Sequence, residues 1–410
     1  MALKRRLILN WEQKNKLFFM KINSISTIKN LAGKRVLLRV DFNVPLKDKK
    51  IKDDYKIVAG LETLKLLLTQ KAKIIIITHL GDPGGKIDLN LSVAPLAARL
   101  QKVIGEKIKF IPETVGKKVE VAINKMQPGE IIFLENLRFN KGELADEIVF
   151  AKQLAGLADI YINDAFAVSH RAQASVSAVK NYLPACAGIL VEKELQALNK
   201  VLKPKKPFVV VMGGAKINTK APLIAKLYSS ASQILVGGGL ANNFFKFKKL
   251  EIGRSLYDSD SLTVIKKILK GKSQDKKIIL PVDVIVKSAT GKIFVKKINE
   301  VNKNESILDI GPKTIMLYAG YIKKAQTIIW NGPMGKFEEE HFKNGTLAVA
   351  RLIAARSTGK AYGLVGGGET VEALKASSMM EYVDWVSTAG GAMLSYLGGE
   401  KMPGLKKIIS

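Results

Sequence analysis

Short apolar runs with no polar alternation recur along this chain, and several end abruptly on paired or tripled glycines. In the first half they read "RVLLRV" from Arg35, "KIIIITHL" from Lys73, "EIIFLEN" from Glu130 and "DIYIND" from Asp159. In the second half they read "FVVVMGG" from Phe208, "QILVGGG" from Gln233, "KIILPVD" from Lys277, "QTIIWNGP" from Gln326 and "AYGLVGGG" from Ala361. A strand wetted on one face alternates in hydrophobicity. One covered on both faces does not, as in a parallel sheet between helices. Segments of helical length separate the runs, so the spacing predicts βαβ units and two similar α/β halves.

Length supports two halves. With 410 residues, 47% of them hydrophobic, the chain can bury two cores. An amphipathic helix is expected from about Val191 to Leu202, and "KPKKP" (203–207) ends it, because its two prolines cannot continue a helix. The expected division is therefore a first domain over 20–190, a hinge helix and linker over 191–206, a second domain over 207–388 and a C-terminal segment over 389–410. Residues 1–19 are expected to be an added extension, disordered or a start-site artefact before Met20. Cys186 is the single cysteine, so no intrachain disulfide can form and a cytoplasmic location is expected. No window approaches eighteen uninterrupted apolar residues, so no membrane partner is expected.

The formal net charge of +30 suits a partner rich in phosphate: nucleic acid, a membrane surface or small anions. Its excess is lysine scattered along the whole chain, which reads as a solvated face. "FFKFKK" (244–249) interleaves aromatics with lysines as single-strand binders do, but its phenylalanines are assigned to the core. Nucleic acid is not expected as the main partner.

The glycine exits carry more information. Glycine lets backbone N–H groups approach an anion closely, and a following helix start adds a favourable dipole. Three clustered exits ("MGGAK" and "VGGG" at Val236 and Val365) suit phosphates, although none has the Walker or dinucleotide spacing. Lys216 and Lys220, one helical turn apart, could face one polyphosphate. In the first half, "RVDFNVP" (39–45) puts Asp41 and Asn43 on one face of a strand end. "ENLRF" contributes Arg138, and "SHRA" contributes His170 and Arg171. Arginine can clasp a carboxylate or phosphate through two parallel bonds.

The ordered series "RVDFNVP", "THLG", "ENLRF", "NDAFAVSHRA", "GGAK", "GGG", "LPVD", "DIGPKT", "WNGPMGKFE", "GGGET" and "STAGGA" resembles the phosphoglycerate kinase family, from about Met20 to the C-terminus. The resemblance implies two Rossmann-like lobes, each a parallel sheet flanked by helices, joined by a hinge helix. It implies 3-phosphoglycerate or 1,3-bisphosphoglycerate on the first lobe, Mg²⁺ with ADP or ATP on the second, closure of a monomer over both, and the segment 389–410 packing back on the first lobe. On the acid side it implies Asp41, Phe42, Asn43, Lys56, His79, Leu80, Gly81, Asp82, Arg138 and Arg171. On the nucleotide side it implies Gly214, Lys216, Lys220, Gly237, Gly238, Asn331, Glu338, Gly367, Gly368, Glu369 and Thr370, with Glu369 on the metal. Lys56, Lys216, Gly390 and Gly391 would serve the transferring group. Such a transfer needs no general base, because both nucleophiles are already ionised at neutral pH; positioning and charge neutralisation suffice.

Several positions depart from the family's pattern. Lys56 and Asp82 stand where arginine is usual, Glu369 and Thr219 where aspartate is usual, Gln173 for histidine and Ala389 for glycine. Asp82 reverses charge beside an expected substrate phosphate. Like charges about 4 Å apart repel by roughly 4 kcal/mol at an effective dielectric near 20, so Asp82 is expected to turn from the ligand, with Lys86 compensating. Ala389 would be strained if its position needs a positive φ. Three readings follow: an active kinase; a nucleotide-binding relative with weak or no catalysis because of Lys56, Asp82, Glu369 and Ala389; and, from charge alone, a nucleic-acid binder with steeply salt-dependent affinity.

Overall fold

The computed structural model describes residues 21–47, 50–215, 217–218, 220–269 and 276–409. They form two compact units: one runs up to Lys193 and regains the chain from Met402, and the other spans Glu194–Lys401. The proposed extension at 1–19, together with Lys216 and Thr219, lies outside the described residues.

The first unit is built on six parallel strands in the spatial order Ile108–Ile111, Ile131–Leu134, Lys73–Ile77, Arg35–Val40, Ile160–Asp164, Ala185–Ala187. Ile74 to Ile77 and Val36 to Leu38 are fully buried, as the unbroken apolar runs require of a doubly covered sheet. Helices Leu61–Thr69 and Ala94–Ile104 bury Leu64, Leu67, Leu96 and Leu100 in its core. The second of these opens with proline in its first turn, where a missing N–H is harmless, and closes on Gly105 at φ +78. "IKFI" and "ACA", the two edge strands, are too short to stand out as runs.

The second unit also has six parallel strands: Ile278–Ile279, Gln233–Val236, Phe208–Met212, Thr327–Asn331, Tyr362–Gly366 and Trp385–Ser387. In chain order within this sheet that is 3-2-1-4-5-6, the doubly wound arrangement, and the direction of winding reverses between Phe208–Met212 and Thr327–Asn331. All five residues of Phe208–Met212 are fully buried. A separate antiparallel sheet, Ile293–Lys297, Asp283–Ser288 and Glu305–Ile310, is not anticipated from the sequence, because "DVIVKS" follows directly on another strand.

The long helix is Ile189–Leu202, two residues longer at its start than expected. Asp164 Oδ1, at the end of a sheet strand, accepts the N–H of Leu190 at 2.9 Å and of Val191 at 3.3 Å and so starts the helix earlier than its apolar spacing suggests. Further along, Glu194 is fully buried and accepts from Trp385 Nε1 (2.9 Å), Thr388 N (2.9 Å) and Thr388 Oγ1 (3.0 Å). Helix Gly390–Gly398 packs on helix Ala221–Leu227 within the second unit. From Met402 onward the chain belongs to the first unit. There the Gly404 carbonyl accepts from Asn163 Nδ2 at 3.0 Å, and Lys180 Nζ donates to the carbonyls of Pro403 (2.5 Å) and Lys406 (3.0 Å).

Candidate active site

At the carboxyl ends of the first unit's central strands, cations converge. Arg39 is completely buried: its Nε donates to Ser175 Oγ at 3.0 Å, and its Nη2 lies 3.2 Å from His79 Nδ1. Ser175 Oγ in turn donates to Glu143 Oε1 at 2.7 Å, so Glu143, also fully buried, answers the Arg39 charge through one hydroxyl. Asp41 Oδ2 accepts from Lys56 Nζ at 2.7 Å, and Asn43 Oδ1 accepts the Gly81 N–H at 3.0 Å. Arg138 is buried, with Nη1 donating to the Gly81 carbonyl at 2.7 Å, while its Nε and Nη2 have no hydrogen-bond partner among the described residues. Arg171 is exposed, yet its charge reaches both Arg138 and His79.

The sequence-expected residues thus meet around the exits of three strands: Asp41 pairs with Lys56, Asn43 with the Gly81 N–H, and Arg138 with the Gly81 carbonyl beside Asp82, while His79 Nδ1 lies 3.9 Å from Asp41 Oδ1. Burial, then Arg39, holds the His79 pKa well below its ordinary value, so the imidazole is neutral at neutral pH. Phe42 and Leu80 contribute packing: both are core side chains, with the Phe42 N–H on Thr78 Oγ1 at 3.1 Å. Asp82 Oδ1 lies 3.6 Å from Arg138 Nη1, on a side chain that is largely exposed. Four residues escaped the sequence reading: Arg39, Ser175, Glu143, and Asn136, which is fully buried and ties the Leu80 and Leu91 carbonyls together through Nδ2 at 2.8 and 2.9 Å.

In the second unit the reversal point of the sheet holds the charged contacts. Lys220, buried, donates from Nζ to Asn331 Oδ1 at 2.5 Å, and Asn331 Nδ2 donates to the Gly366 carbonyl at 2.6 Å. Burial brings the Lys220 pKa down to about 8, opposed by the Glu369 carboxylate. The Gly332 N–H rests on Thr370 Oγ1 at 2.7 Å, joining the strand exit to helix Gly368–Ala376. Gly213 has no room for a side chain: a Cβ there would stand 2.0 Å from the Pro333 carbonyl oxygen. Gly214, at φ +84, lies bare beneath Lys220 and Glu369; a Cβ on it would sit 3.3 Å from Lys220 Nζ and 3.9 Å from Glu369 Oε2.

A cavity of about 400 Å³ opens beside these groups, with Gly214, Gly238, Phe245, Met334, Glu338 and Glu369 among its lining residues. That volume suits a nucleoside. Gly238 lines it beside Pro333, and Gly237 packs against Met334. Asp309, beneath the cavity, is a further residue the sequence reading missed. It accepts the N–H groups of Ile310 and Gly345, both at 2.8 Å, and burial pushes its pKa up to about 7. Gly390 lies against the Gly367 backbone, and Gly390 and Gly391 open helix Gly390–Gly398. Ala389 has φ −128, an ordinary conformation for an L-residue, so the positive-φ strain considered from the sequence does not arise.

Among the described residues no helix is long and apolar enough to cross a membrane. None of them forms a group of three or more His, Cys, Asp or Glu side chains placed around a metal.

The doubly wound sheet with glycines and a buried lysine at its reversal point defines an α/β protein of the phosphate-binding class. Comparison with known proteins narrows the class. The family model described as phosphoglycerate kinase matches residues 25–400. The phosphoglycerate kinase of Desulfosudis oleivorans is 42% identical over 391 residues, covering 94% of this chain and 98% of that one, and that of Moorella thermoacetica is 41% identical over 386 residues, covering 92% and 98%. Among solved structures, phosphoglycerate kinase from Coxiella burnetii superposes with a TM-score of 0.83 at 41% identity, covering 95% of this chain and 99% of that one. The Pyrococcus horikoshii enzyme gives 0.81 at 31% identity, covering 93% and 97%. The chain belongs to the phosphoglycerate kinase family.

Proposed function

We propose that this chain is an active phosphoglycerate kinase, moving a phosphoryl group reversibly between 1,3-bisphosphoglycerate and ADP to give 3-phosphoglycerate and ATP in glycolysis. The first unit holds the acid and the second the nucleotide. The observation that carries this reading is the buried Lys220–Asn331 pair, set at the sheet's reversal point beside a cavity of nucleoside size.

On the acid side, Arg138 offers two unpartnered N–H donors to an anion, and Arg39, Lys56 and Arg171 add positive charge around them. Neutral His79 can donate from Nε2, since Nδ1 is engaged with Arg39. On the nucleotide side, Lys220 neutralises phosphate charge, the bare backbone at Gly214 admits the diphosphate, and Glu338 stands at the rim of the cavity for the ribose. Gly367, Gly368 and Thr370 place a helix start toward the phosphates. Gly390 and Gly391 present a second helix start to the transferring group, and Lys216 follows that group by family resemblance.

Magnesium fits the donor set. The Glu369 carboxylate shares the face of Gly214 with Lys220, and Mg²⁺ commonly takes one or two carboxylates, completing its shell with phosphate oxygens and water. When bound, the ion supplies charge neutralisation on the diphosphate; Glu369 would hold it. We assign the protein to the cytoplasm as a monomer, which size-exclusion chromatography with light scattering checks.

A coupled assay from 3-phosphoglycerate and ATP tests the reading with purified full-length chain. Turnover that requires both substrates and Mg²⁺ is the expected result. ADP binding without turnover would instead leave a nucleotide-binding relative.

A further inference from the structure

Arg138 is 4% exposed, yet its Nε and Nη2 have no hydrogen-bond partner among the described residues. Such a buried, half-used guanidinium is a standing demand for an anion. Other carboxylates of the crevice are committed: Asp41 to Lys56 at 2.7 Å, and Glu143 to Ser175 at 2.7 and 2.9 Å. Asp82 is placed differently. Gly81, at φ +62, turns the chain so that its own carbonyl meets Arg138 Nη1 at 2.7 Å and the next residue brings a carboxylate to 3.6 Å from the same nitrogen. The Asp82 side chain is nevertheless 76% exposed, against 4% for Arg138. An anion so weakly held and so well solvated can leave at small cost.

We propose that Asp82 is a built-in competitor for the phosphate subsite at Arg138: in the free protein it supplies the counter-charge, and a phosphorylated ligand must displace it into solvent to bind. This rests on the functional reading above, in which that subsite receives the phosphate arm of the acid. Asp82 thereby sets affinity rather than chemistry, and it filters ligands by charge, because a dianionic phosphate displaces a carboxylate more readily than a monoanion does.

The test is calorimetric titration of the full chain with 3-phosphoglycerate and, separately, with inorganic phosphate, comparing wild type, Asp82→Asn and Asp82→Glu at two salt concentrations. At low salt, Asp82→Asn should bind both anions about threefold to fivefold more tightly, the range an exposed ion pair commands. Its advantage should shrink at high salt. Asp82→Glu should return toward wild type, which a purely structural role of the loop would not produce, and ADP affinity should stay unchanged in every variant. Equal or weaker anion binding by Asp82→Asn with ADP affinity intact overturns the proposal, as does failure of every variant to bind inorganic phosphate. If wild type ignores 3-phosphoglycerate while the variants still differ toward inorganic phosphate, the functional reading fails and the competitor stands. Asp82→Ser, equally compatible with an exposed turn, replaces Asp82→Asn should the latter fold poorly.

Discussion

Arg39 Nη2 and His79 Nδ1 stand 3.2 Å apart, and since a guanidinium can only donate, the imidazole accepts at Nδ1 and carries its proton on Nε2. Burial and then the Arg39 charge lower the His79 pKa, so this ring stays neutral in the folded protein where a free histidine, with a pKa of about 6.5, would charge. The unfolded chain therefore binds a proton that the folded one refuses, and stability falls as pH drops below about 6.5. NMR titration should find His79 unprotonated across the neutral range, with Arg39→Met raising its pKa. A His79 that titrates normally in wild type would refute the tautomer.

Lys220 has the opposite consequence at high pH. Its ammonium is brought down to about 8 by burial, so the free protein loses that charge as pH rises through this value. ADP affinity should weaken above pH 8, and binding near that pH should take up protons, visible as a buffer-dependent heat. Removing the charged donor in Lys220→Met should cost about tenfold to hundredfold in ADP affinity. Proton release on binding would contradict the assignment.

Two glycines make a matched pair for stability. Gly213→Ala forces a methyl to 2.0 Å from the Pro333 carbonyl, a backbone atom that cannot swing aside, and should destabilise by about 1–3 kcal/mol. Gly320 sits within helix Pro312–Ile322 with open space where a Cβ would project. Gly320→Ala should therefore stabilise by about 0.5–1 kcal/mol. Denaturant melts of both variants would read the contrast directly.

Lys180 offers a pH test of the chain's final residues. Burial brings its pKa from 10.5 to about 7, with Asp146 opposing the shift and the nearby Lys406 and Lys407 reinforcing it. Between about 7 and 10.5 the unfolded chain binds the extra proton, so this group's contribution to stability rises with pH across that window. Lys180→Met should flatten that rise in thermal melts taken at successive pH values. An unchanged slope would show that the ammonium is not the group responsible.

Features set by local pattern were legible in the sequence: buried runs such as "FVVVM" and "KIIII", the glycine exits, and Lys220 just beyond one of them. What escaped notice depends on partners far along the chain. Arg39 reads as one polar residue inside an apolar run, and only folding brings it to Ser175, 136 residues on, and through it to Glu143. Asp82 was noticed for its charge, but sequence carries no φ for Gly81, and that turn is what points the carboxylate toward Arg138. Ala389 raised the reverse concern, and its negative φ dismissed it. Helical spacing likewise could not reveal that Asp164, 26 residues earlier, lengthens the helix at Leu190.

Because the first unit regains the chain only at Met402, the second is threaded through it as an insert. Every strand of the first sheet precedes the insert, yet Asn163 and Lys180 find their acceptors on Pro403, Gly404 and Lys406. During synthesis from the N-terminus, the half begun first is thus the half that waits longer: its interior polar groups need the codons after Met402, and the inserted half can be complete before them.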